Sequence, residues 1–164
     1  MVSLCKRRAK ESHGCNYHIF LNSVKGIASI IRKAKLNKED VRIVCSRSNG
    51  IYMKNKAKLP QGFDIVDSTT DPKKFNFYTS TCFEGQDIYD ENGRTFIVSE
   101  PHKQHTMMDI STSFIQICGR IRNSKYNGEI IHIYATSYYK DYPTLKEFIK
   151  YTKREIQKAE KQVK

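Results

Sequence analysis

The sequence predicts an α/β protein, a three-layer sandwich in which a mainly parallel sheet of about five or six strands is flanked by helices. Short segments rich in Ile, Val, Phe and Tyr recur along the chain, as buried strands do. Segments with the apolar period of a helix lie between them, and this alternation is typical of parallel sheets. The length of 164 residues suits one domain with one core.

The strands are predicted from short apolar segments bounded by polar residues. We place them at residues 17–22, 41–46, 75–80, 94–99 and 129–135, and residues 63–66 are a candidate sixth strand. Asn92-Gly93 and Asn127-Gly128 predict turns just before the last two of the five.

Three helices are predicted from apolar spacing, over residues 24–35, 106–121 and about 143–162. In the second, four apolar residues recur at helical intervals: Ile110, Phe114, Ile117 and Ile121. We therefore divide the chain into a basic N-terminal extension (1–15), one α/β domain (16–140) and a C-terminal helix (141–164) that packs on the domain or continues beyond the chain.

The charge of the chain favours a polyanionic partner, nucleic acid first. Lys and Arg number 29 against 17 Asp and Glu, which gives a net charge of +12. No apolar run is long enough to cross a membrane, and the basic N-terminus is not followed by the apolar stretch of a secretory signal. Five widely spaced cysteines indicate reduced thiols, so we expect a cytoplasmic protein without a membrane partner.

Small polar residues follow the first three strands. They are Asn22-Ser23, Ser46-Arg47 and Thr79-Ser80-Thr81. The carboxyl ends of parallel strands form the ligand-binding edge of a sheet, and hydroxyls and backbone N–H groups bind phosphates. The alternative is that these residues only cap the helices that follow. Their recurrence beside a basic loop favours phosphate contact.

The predicted helix 106–121 carries a second polar group. Gln116 and Arg120 lie four residues apart on a face other than the apolar one. Gly119 removes a side chain between them, so that a ligand or a facing domain can approach. A guanidinium is planar and always charged, which suits Arg120 to clamp a γ-phosphate.

Three segments resemble motifs of superfamily 2 helicases and translocases. TSTCFEGQDI (79–88) resembles motif V, and QICGR (116–120) resembles motif VI. HIFLNSVKGIASIIRKAK (18–35) is similar to the motif IV region that opens the second RecA-like domain of that family. The motifs occur in the family's order, and the resemblance covers roughly residues 16–140. It implies a RecA-like sandwich, the second of the two that such a motor contains.

The resemblance also implies roles for individual residues. It makes Arg120 an arginine finger, with Arg122 as a second catalytic candidate. It places four residues at the bound nucleotide: Gly85, Asp87, Gln116 and Gly119. It implies that the nucleic-acid backbone is contacted by Thr79, Ser80 and Thr81, with Asn22, Ser23, Ser46 and Arg47 along the same track.

One departure from the family concerns Arg122. The commoner family spacing is GR-x-x-R, whereas this chain has GR-x-R. Two residues along a helix correspond to a rotation of roughly 200°. Arg120 and Arg122 can therefore both face the nucleotide only if the helix ends near Gly119. The shorter spacing is similar to that of origin-binding-type helicases of viral or phage replication.

A larger departure is the lack of an ATPase site. The sequence has no GxxxxGK[ST] phosphate loop, and Asp90-Glu91 precedes an Asn-Gly turn instead of ending an apolar strand as a DExx box would. ATP and Mg²⁺ are thus expected only in a complete enzyme, held mainly by a first RecA-like domain. We expect this chain alone to be inactive, with that domain and nucleic acid, DNA before RNA, as partners. The alternative is a free-standing nucleic-acid-binding or regulatory module without ATPase activity.

The sequence predicts no metal site. Cys5, His13, Cys15 and His18 do not have the spacing of the common zinc sites, and His18 falls in a predicted strand.

Overall fold

The structure of the chain, a computed structural model, describes residues 1–48, 50–83, 87–100, 106, 108, 110–134, 144–147, 149–150 and 153. Its strands are β1 (Asn16–Phe20), β2 (Val41–Val44), β3 (Phe75–Tyr78), β4 (Ile88–Tyr89), β5 (Gly93–Ser99), β6 (Ile121–Arg122) and β7 (Ile130–Tyr134). Five form one sheet in the order β2-β3-β1-β5-β7, while β4 and β6 pair separately. Every described strand pair is parallel.

The described helices are α1 (Val2–Lys10), α2 (Val24–Ala34), α3 (Ile51–Lys56) and α4 (Ile115–Cys118). A π-helical turn, Ile110–Phe114, leads directly into α4. Side chains of α1 and α2 pack with one face of the sheet, and Phe83, Ile117 and Ile121 pack with the other. The predicted fold class is therefore confirmed as α/β with a mainly parallel five-stranded sheet between helices, an arrangement consistent with a RecA-like sandwich.

The first helix of the predicted domain illustrates how local signals fix an element. Ser23 precedes α2, and its hydroxyl accepts a hydrogen bond from the Gly26 N–H at 3.1 Å. Lys35 ends the helix in the left-handed region, with φ 53°. The apolar residues between them, including Ile27 and Ile31, are buried against the sheet.

Two of the predicted elements are wrong. Residues 63–66 are not a strand, although Ile65 is buried in the core and the Val66 N–H donates to the Ile43 carbonyl at 2.9 Å. The helix predicted to run to residue 121 ends at Cys118, and Ile121–Arg122 is strand β6. Ile121 is buried as the apolar period requires, but it is buried from a strand because Ile88 of β4 is its ladder partner.

The ends of the chain include a helix that was not predicted. Residues 1–15 contain α1, which packs against α2 and buries Cys5 in the core. In the C-terminal region, the described residues 145–147, 149, 150 and 153 are helical, and the rest of the predicted helix 143–162 lies outside the described residues. Thr144 and Glu147 form a capping box there: the Thr144 N–H donates to the Glu147 carboxylate at 3.2 Å, and the Glu147 N–H donates to the Thr144 hydroxyl oxygen at 3.3 Å. Among the described helices, none is both long and apolar enough to cross a membrane.

A chain of buried polar side chains crosses the sheet from β2 to the turn before β5. The Arg42 guanidinium donates to the Tyr78 hydroxyl at 3.0 Å. The His18 Nδ1 lies 2.9 Å from that hydroxyl, and its Nε2 lies 2.9 Å from Asp90 Oδ2. Because Tyr78 accepts from Arg42, its own proton is directed to Nδ1, which leaves the proton of neutral His18 on Nε2 to bond Asp90. We call these four residues the buried relay.

The environment of the buried relay keeps His18 neutral and Asp90 ionised. Burial lowers the pKa of His18 below the usual value of 6.5, and it outweighs the hydrogen bond to Asp90. Burial by itself would raise the pKa of Asp90, but the hydrogen bonds from His18 and Asn16 outweigh it and lower that pKa. The relay thus has a positive end at Arg42 and a negative end at Asp90.

We expect acid to destabilise the fold through His18. Since the folded pKa is below 6.5, the unfolded chain binds the proton more readily, and stability is lost as the pH falls below 6.5. The slope contributed by one proton is about 1.4 kcal/mol per pH unit until the folded pKa is reached. Urea denaturation between pH 5 and pH 8 measures it.

The matched variants for this titration are His18→Asn and His13→Gln, because His13 is exposed. His18→Asn is expected to lower the slope and leave the part due to His132, whose pKa burial also lowers, whereas His13→Gln is expected to keep the full slope. An unchanged slope in His18→Asn would assign the acid sensitivity to another group.

A second prediction concerns Gly93, where the Asn-Gly turn enters β5. A Cβ atom at Gly93 would lie 2.9 Å from His18 Nε2 and 2.9 Å from Ile121 Cγ2, and both of these side chains are buried. We expect Gly93→Ala to destabilise the fold by about 1–3 kcal/mol, as overpacking does. Thermal unfolding measures the loss.

Gly119→Ala is the control for Gly93→Ala. The nearest atom to a Cβ there is the Gln116 carbonyl oxygen at 3.9 Å, and Gly119 has an ordinary φ of −87°. We expect it to leave the melting temperature nearly unchanged. Equal stability of the two variants would contradict the close packing at Gly93.

Candidate functional site

A cavity of about 570 Å³ opens at the carboxyl ends of β1, β2 and β3, beside the start of α2. Six of the seven residues predicted to contact nucleic acid line it: Asn22, Ser23, Ser46, Thr79, Ser80 and Thr81. Val24, Lys25, Asn55 and Lys58 complete the lining. The polar residues that follow three separate strands therefore meet at one place.

Backbone and side-chain hydrogen bonds fix the floor of the cavity. The Asn22 side-chain oxygen accepts from the Ser80 N–H at 3.2 Å, which joins the end of β1 to the end of β3. The Thr79 N–H donates to the Val44 carbonyl, which joins the end of β3 to the end of β2. The Thr79 and Thr81 hydroxyl oxygens lie 3.3 Å apart. These bonds hold the hydroxyls of the β3 segment in a fixed arrangement.

At the start of α2 the structure shows the capping role of Ser23, which is compatible with the predicted phosphate contact. Ser23 is the N-cap of that helix, because its hydroxyl oxygen accepts from the Gly26 N–H. A hydroxyl that accepts a hydrogen bond can still donate one, so capping does not remove Ser23 from the cavity lining. At the end of β2, the Ser46 and Ser48 hydroxyls lie 3.1 Å apart.

Arg47, the seventh predicted residue, does not line the cavity. Its guanidinium lies 3.5 Å from the Asp67 carboxylate and is half exposed. Three polar lining residues were not predicted, namely Lys25, Asn55 and Lys58. Lys25 could have been found from its position two residues after the capping Ser23. Asn55 and Lys58 belong to α3 and the turn after it, in a region whose sequence has no regular period.

A cluster of charged side chains forms where β4 and β6 pair. Arg122 Nε lies 3.2 Å from Asp87 Oδ1, and Arg120 Nη1 lies 3.9 Å from the same oxygen. The Arg120 Nε also donates to the Phe83 carbonyl at 2.9 Å. We call Asp87, Arg120 and Arg122 the arginine cluster. Arg120 is 18% exposed at its side chain and Asp87 is 38% exposed, so the cluster is accessible from solvent.

The arginine cluster settles the geometry that the GR-x-R spacing left open. The chain leaves the helical conformation at Gly119 and is extended at Arg122. The Ile88 N–H donates to the Arg120 carbonyl at 2.8 Å, and the Asp90 N–H donates to the Arg122 carbonyl. Side chains two residues apart on an extended segment point to the same side. Arg120 and Arg122 therefore converge on one carboxylate, which a continuous helix would have prevented.

The cavity and the arginine cluster are joined by a single short turn. Residues Ser80–Cys82 form a 3₁₀ turn, closed by bonds from the Cys82 N–H to the Thr79 carbonyl and from the Phe83 N–H to the Ser80 carbonyl. Thr79, Ser80 and Thr81 line the cavity at its beginning, and the Phe83 carbonyl binds Arg120 at its end. A shift of this turn would move both.

The other residues predicted to contact the nucleotide, Gln116, Gly119 and Gly85, are not in the arginine cluster. Gln116 is half buried on α4, and Gly119 is the residue that ends this helix. The nearest atom to a Cβ at Gly119 would be the Gln116 carbonyl oxygen, 3.9 Å away, which leaves room for an approaching group. Gly85 lies outside the described residues.

The residues present fit only part of a nucleotide site. Two guanidinium groups on a partly exposed surface suit the phosphate end of ATP. Asp87 is the carboxylate of this cluster, and both arginines already contact it. Among the described residues, no group of three or more His, Cys, Asp or Glu side chains is arranged to hold a metal ion.

Comparisons with known proteins found no matching protein-family model, no matching curated protein and no matching solved structure.

Proposed function

We propose that this chain is the second RecA-like domain of a superfamily 2 nucleic-acid helicase or translocase. The observation that carries the proposal is that three separate segments, those resembling motifs IV, V and VI, come together in space. The first two meet in the cavity, and the last two meet in the arginine cluster. A free-standing nucleic-acid-binding module would need the cavity but would have no use for two converging arginines.

In the proposed role, the cavity grips the nucleic-acid backbone. Its lining offers hydroxyls, an amide and two lysines, which are the groups that bind phosphate oxygens in nucleic-acid complexes. Among the described residues no aromatic side chain lines it, so the contacts it offers are to phosphate and sugar and carry no base preference. DNA is the favoured partner on the resemblance to replication helicases.

The arginine cluster would act on ATP held in the cleft between this domain and a first RecA-like domain. That domain would supply the phosphate loop and the residues for Mg²⁺, since the described residues here include no group of three or more possible metal ligands. Arg120 would stabilise the charge that develops on the γ-phosphate, with Arg122 beside it. The turn Ser80–Cys82 would pass the movement of Arg120 to the hydroxyls of the cavity.

The cytoplasm is the proposed location, in a bacterial, phage or viral replication context. All five cysteines are free thiols in the structure, and four of them are buried or half buried. Free thiols are typical of reducing compartments.

Binding of a single-stranded oligonucleotide tests the nucleic-acid part of the proposal. We expect the double variant Lys25→Gln/Lys58→Gln to lose about tenfold in affinity for a fluorescent 20-nucleotide DNA, with a salt slope lower by about 1.4, or 0.7 for each phosphate contact. The control, Lys125→Gln/Lys146→Gln, removes the same charge from two exposed positions outside the cavity. Equal binding by the two variants would exclude the cavity as the binding site.

A further inference from the structure

The N-terminal quarter of the chain carries most of its net charge. Residues 1–38 contain nine Lys and Arg residues and one acidic residue, Glu11, so they account for +8 of the total of +12. These residues form α1 and α2 with the strand between them. The excess charge is therefore concentrated on the helical layer that covers one face of the sheet.

The apolar sides of α1 and α2 face the sheet, and the basic side chains of the two helices, except buried Arg8, are exposed. Cys5 of α1 and Ile27 and Ile31 of α2 are buried in the same core cluster. The exposed basic residues of the two helices are Lys6, Arg7, Lys10, Lys25, Arg32 and Lys33, followed by Lys35 at the end of α2. We call these seven residues the basic face.

Carboxylates do not neutralise this surface in the part of the chain that the structure describes. None of the described ion pairs includes a residue of α1 or α2. Two arginines of these helices do make hydrogen bonds, but their acceptors are carbonyls. Buried Arg8 binds the carbonyls of Cys15, Glu11 and Gly14, and Arg32 binds that of Lys58 at 2.9 Å.

The basic face continues into the cavity. Lys25 belongs to both, since it lines the cavity at the start of α2. Lys25 and Arg32 lie seven residues apart, on the same side of the helix. The 11 residues of α2 extend over about 16 Å, the length over which one strand of a duplex presents about five phosphates. A nucleic acid that is bound at the cavity can therefore contact the basic face at the same time.

Two observations identify the partner. An amphipathic helix that lies on a membrane needs exposed apolar side chains, and none of the exposed large apolar residues among those described is on α1 or α2. Base stacking, which strengthens the binding of an exposed single strand, needs aromatic side chains, and neither helix contains one. Charge without apolar or aromatic groups suits the phosphates of a duplex.

We propose that the basic face is a second nucleic-acid-binding surface, which holds double-stranded nucleic acid through its phosphates. It is separate from the grip of the cavity on a single strand and needs neither ATP nor a first RecA-like domain. It would keep the duplex close to the point where one strand enters the cavity.

Fluorescence anisotropy with a labelled 20-base-pair DNA tests this proposal on the chain as it stands. The variant replaces Lys6, Arg7, Lys10, Lys33 and Lys35 with Gln, and leaves Lys25, Arg8 and Arg32 in place. All five positions are exposed, so the fold is expected to persist, and circular dichroism checks it. We expect duplex affinity at 0.1 M salt to fall about tenfold or more, and the salt slope to fall by about 0.9 for each lost phosphate contact.

The matched control replaces Lys54, Lys125, Lys146, Lys150 and Lys153 with Gln, which removes the same charge from exposed positions elsewhere. An equal loss of duplex affinity in the control would show that the effect depends only on net charge, and it would overturn the proposal. An unchanged duplex affinity in the first variant would also overturn it. So would a loss of binding to phosphatidylserine vesicles without a loss of duplex binding, which would assign the face to a membrane.

The cavity variant Lys25→Gln/Lys58→Gln separates this proposal from the proposed function. Normal single-strand binding by that variant, together with reduced duplex binding by the five-residue variant, would leave the basic face established and the cavity refuted. The reverse pattern would support the cavity and refute the basic face.

Discussion

Replacing Arg120 with alanine is expected to lower nucleic-acid-stimulated ATP hydrolysis by about 10³-fold or more, when this chain is combined with a first RecA-like domain that carries a phosphate loop and a DExx box. The guanidinium is the group proposed to stabilise the charge that develops on the γ-phosphate. Its position is fixed by the hydrogen bond to the Phe83 carbonyl and by the strand pairing of β6. Steady-state hydrolysis with saturating single-stranded DNA measures the effect.

Three companion variants make this result specific. Arg120→Lys keeps a positive charge but loses the planar fork, so we expect it to remain strongly impaired. Arg94→Ala removes another arginine that pairs with a carboxylate, that of Glu129, and should hydrolyse ATP at the normal rate. Arg122→Ala is expected to be intermediate, because its guanidinium lies on the same side as Arg120 and contacts the same Asp87 oxygen.

Affinity for single-stranded DNA should not change in Arg120→Ala, since Arg120 does not line the cavity. A normal hydrolysis rate in Arg120→Ala would refute the assignment of the arginine finger. Hydrolysis by the wild-type chain alone would refute the proposal that a first domain holds most of the site.

The main features of the fold were predictable because they depend on local composition. The five strands of the sheet are short segments rich in Ile, Val, Phe and Tyr, and such segments stand out between polar loops. The polar residues of the cavity were also predictable, since the carboxyl ends of parallel strands meet at one edge. Thr79 and Asn22 are far apart in sequence, but each follows a strand of the parallel sheet, and this was enough to predict that they lie close together.

The arginine cluster was only partly predictable, because it depends on a long-range pairing. The spacing of Ile117 and Ile121 fits a helix, and both residues are in fact buried. The strand β6 forms because Ile121 meets Ile88, a residue 33 positions earlier whose two-residue strand has no recognisable pattern. A helix continued to residue 121 would have turned Arg122 away from Arg120, but the helix ends near Gly119 and tertiary pairing brings the two arginines together. The helices α1 and α3 were not predicted from the sequence, since short helices have too few turns to show a period.

Arg42→Met is expected to cause the largest loss of stability, about 3–5 kcal/mol, which corresponds to a fall in melting temperature of roughly 10 °C or more. Arg42 is 2% exposed, and its guanidinium donates to Tyr78, Thr70 and the Ser68 carbonyl. Methionine has a similar apolar stem but cannot donate. The buried Tyr78 hydroxyl and the half-buried Ser68 carbonyl would each lose a donor, at a cost of about 1–3 kcal/mol, whereas the exposed Thr70 hydroxyl can bond water.

The control is Arg47→Met, because Arg47 follows the same strand but is half exposed and lies 3.5 Å from Asp67. An exposed ion pair contributes about 1 kcal/mol or less, so this variant should unfold almost as the wild type does. Chemical denaturation of both at pH 7.5 compares them under conditions in which His18 is neutral.

Tyr78→Phe determines whether the relay acts as one unit. The Tyr78 hydroxyl is hydrogen-bonded to both Arg42 and His18, and His18 in turn bonds Asp90. Phenylalanine removes that hydroxyl, and both of its hydrogen bonds, without creating a large cavity. If the four residues stabilise one another, the double variant Arg42→Met/Tyr78→Phe should lose less stability than the two single losses added together. Strict additivity would mean that Arg42 stabilises only its own loop contacts at Ser68 and Thr70. A coupled result would mean that a polar network joins strands β2, β3 and β1, whose carboxyl ends lead into residues that line the cavity.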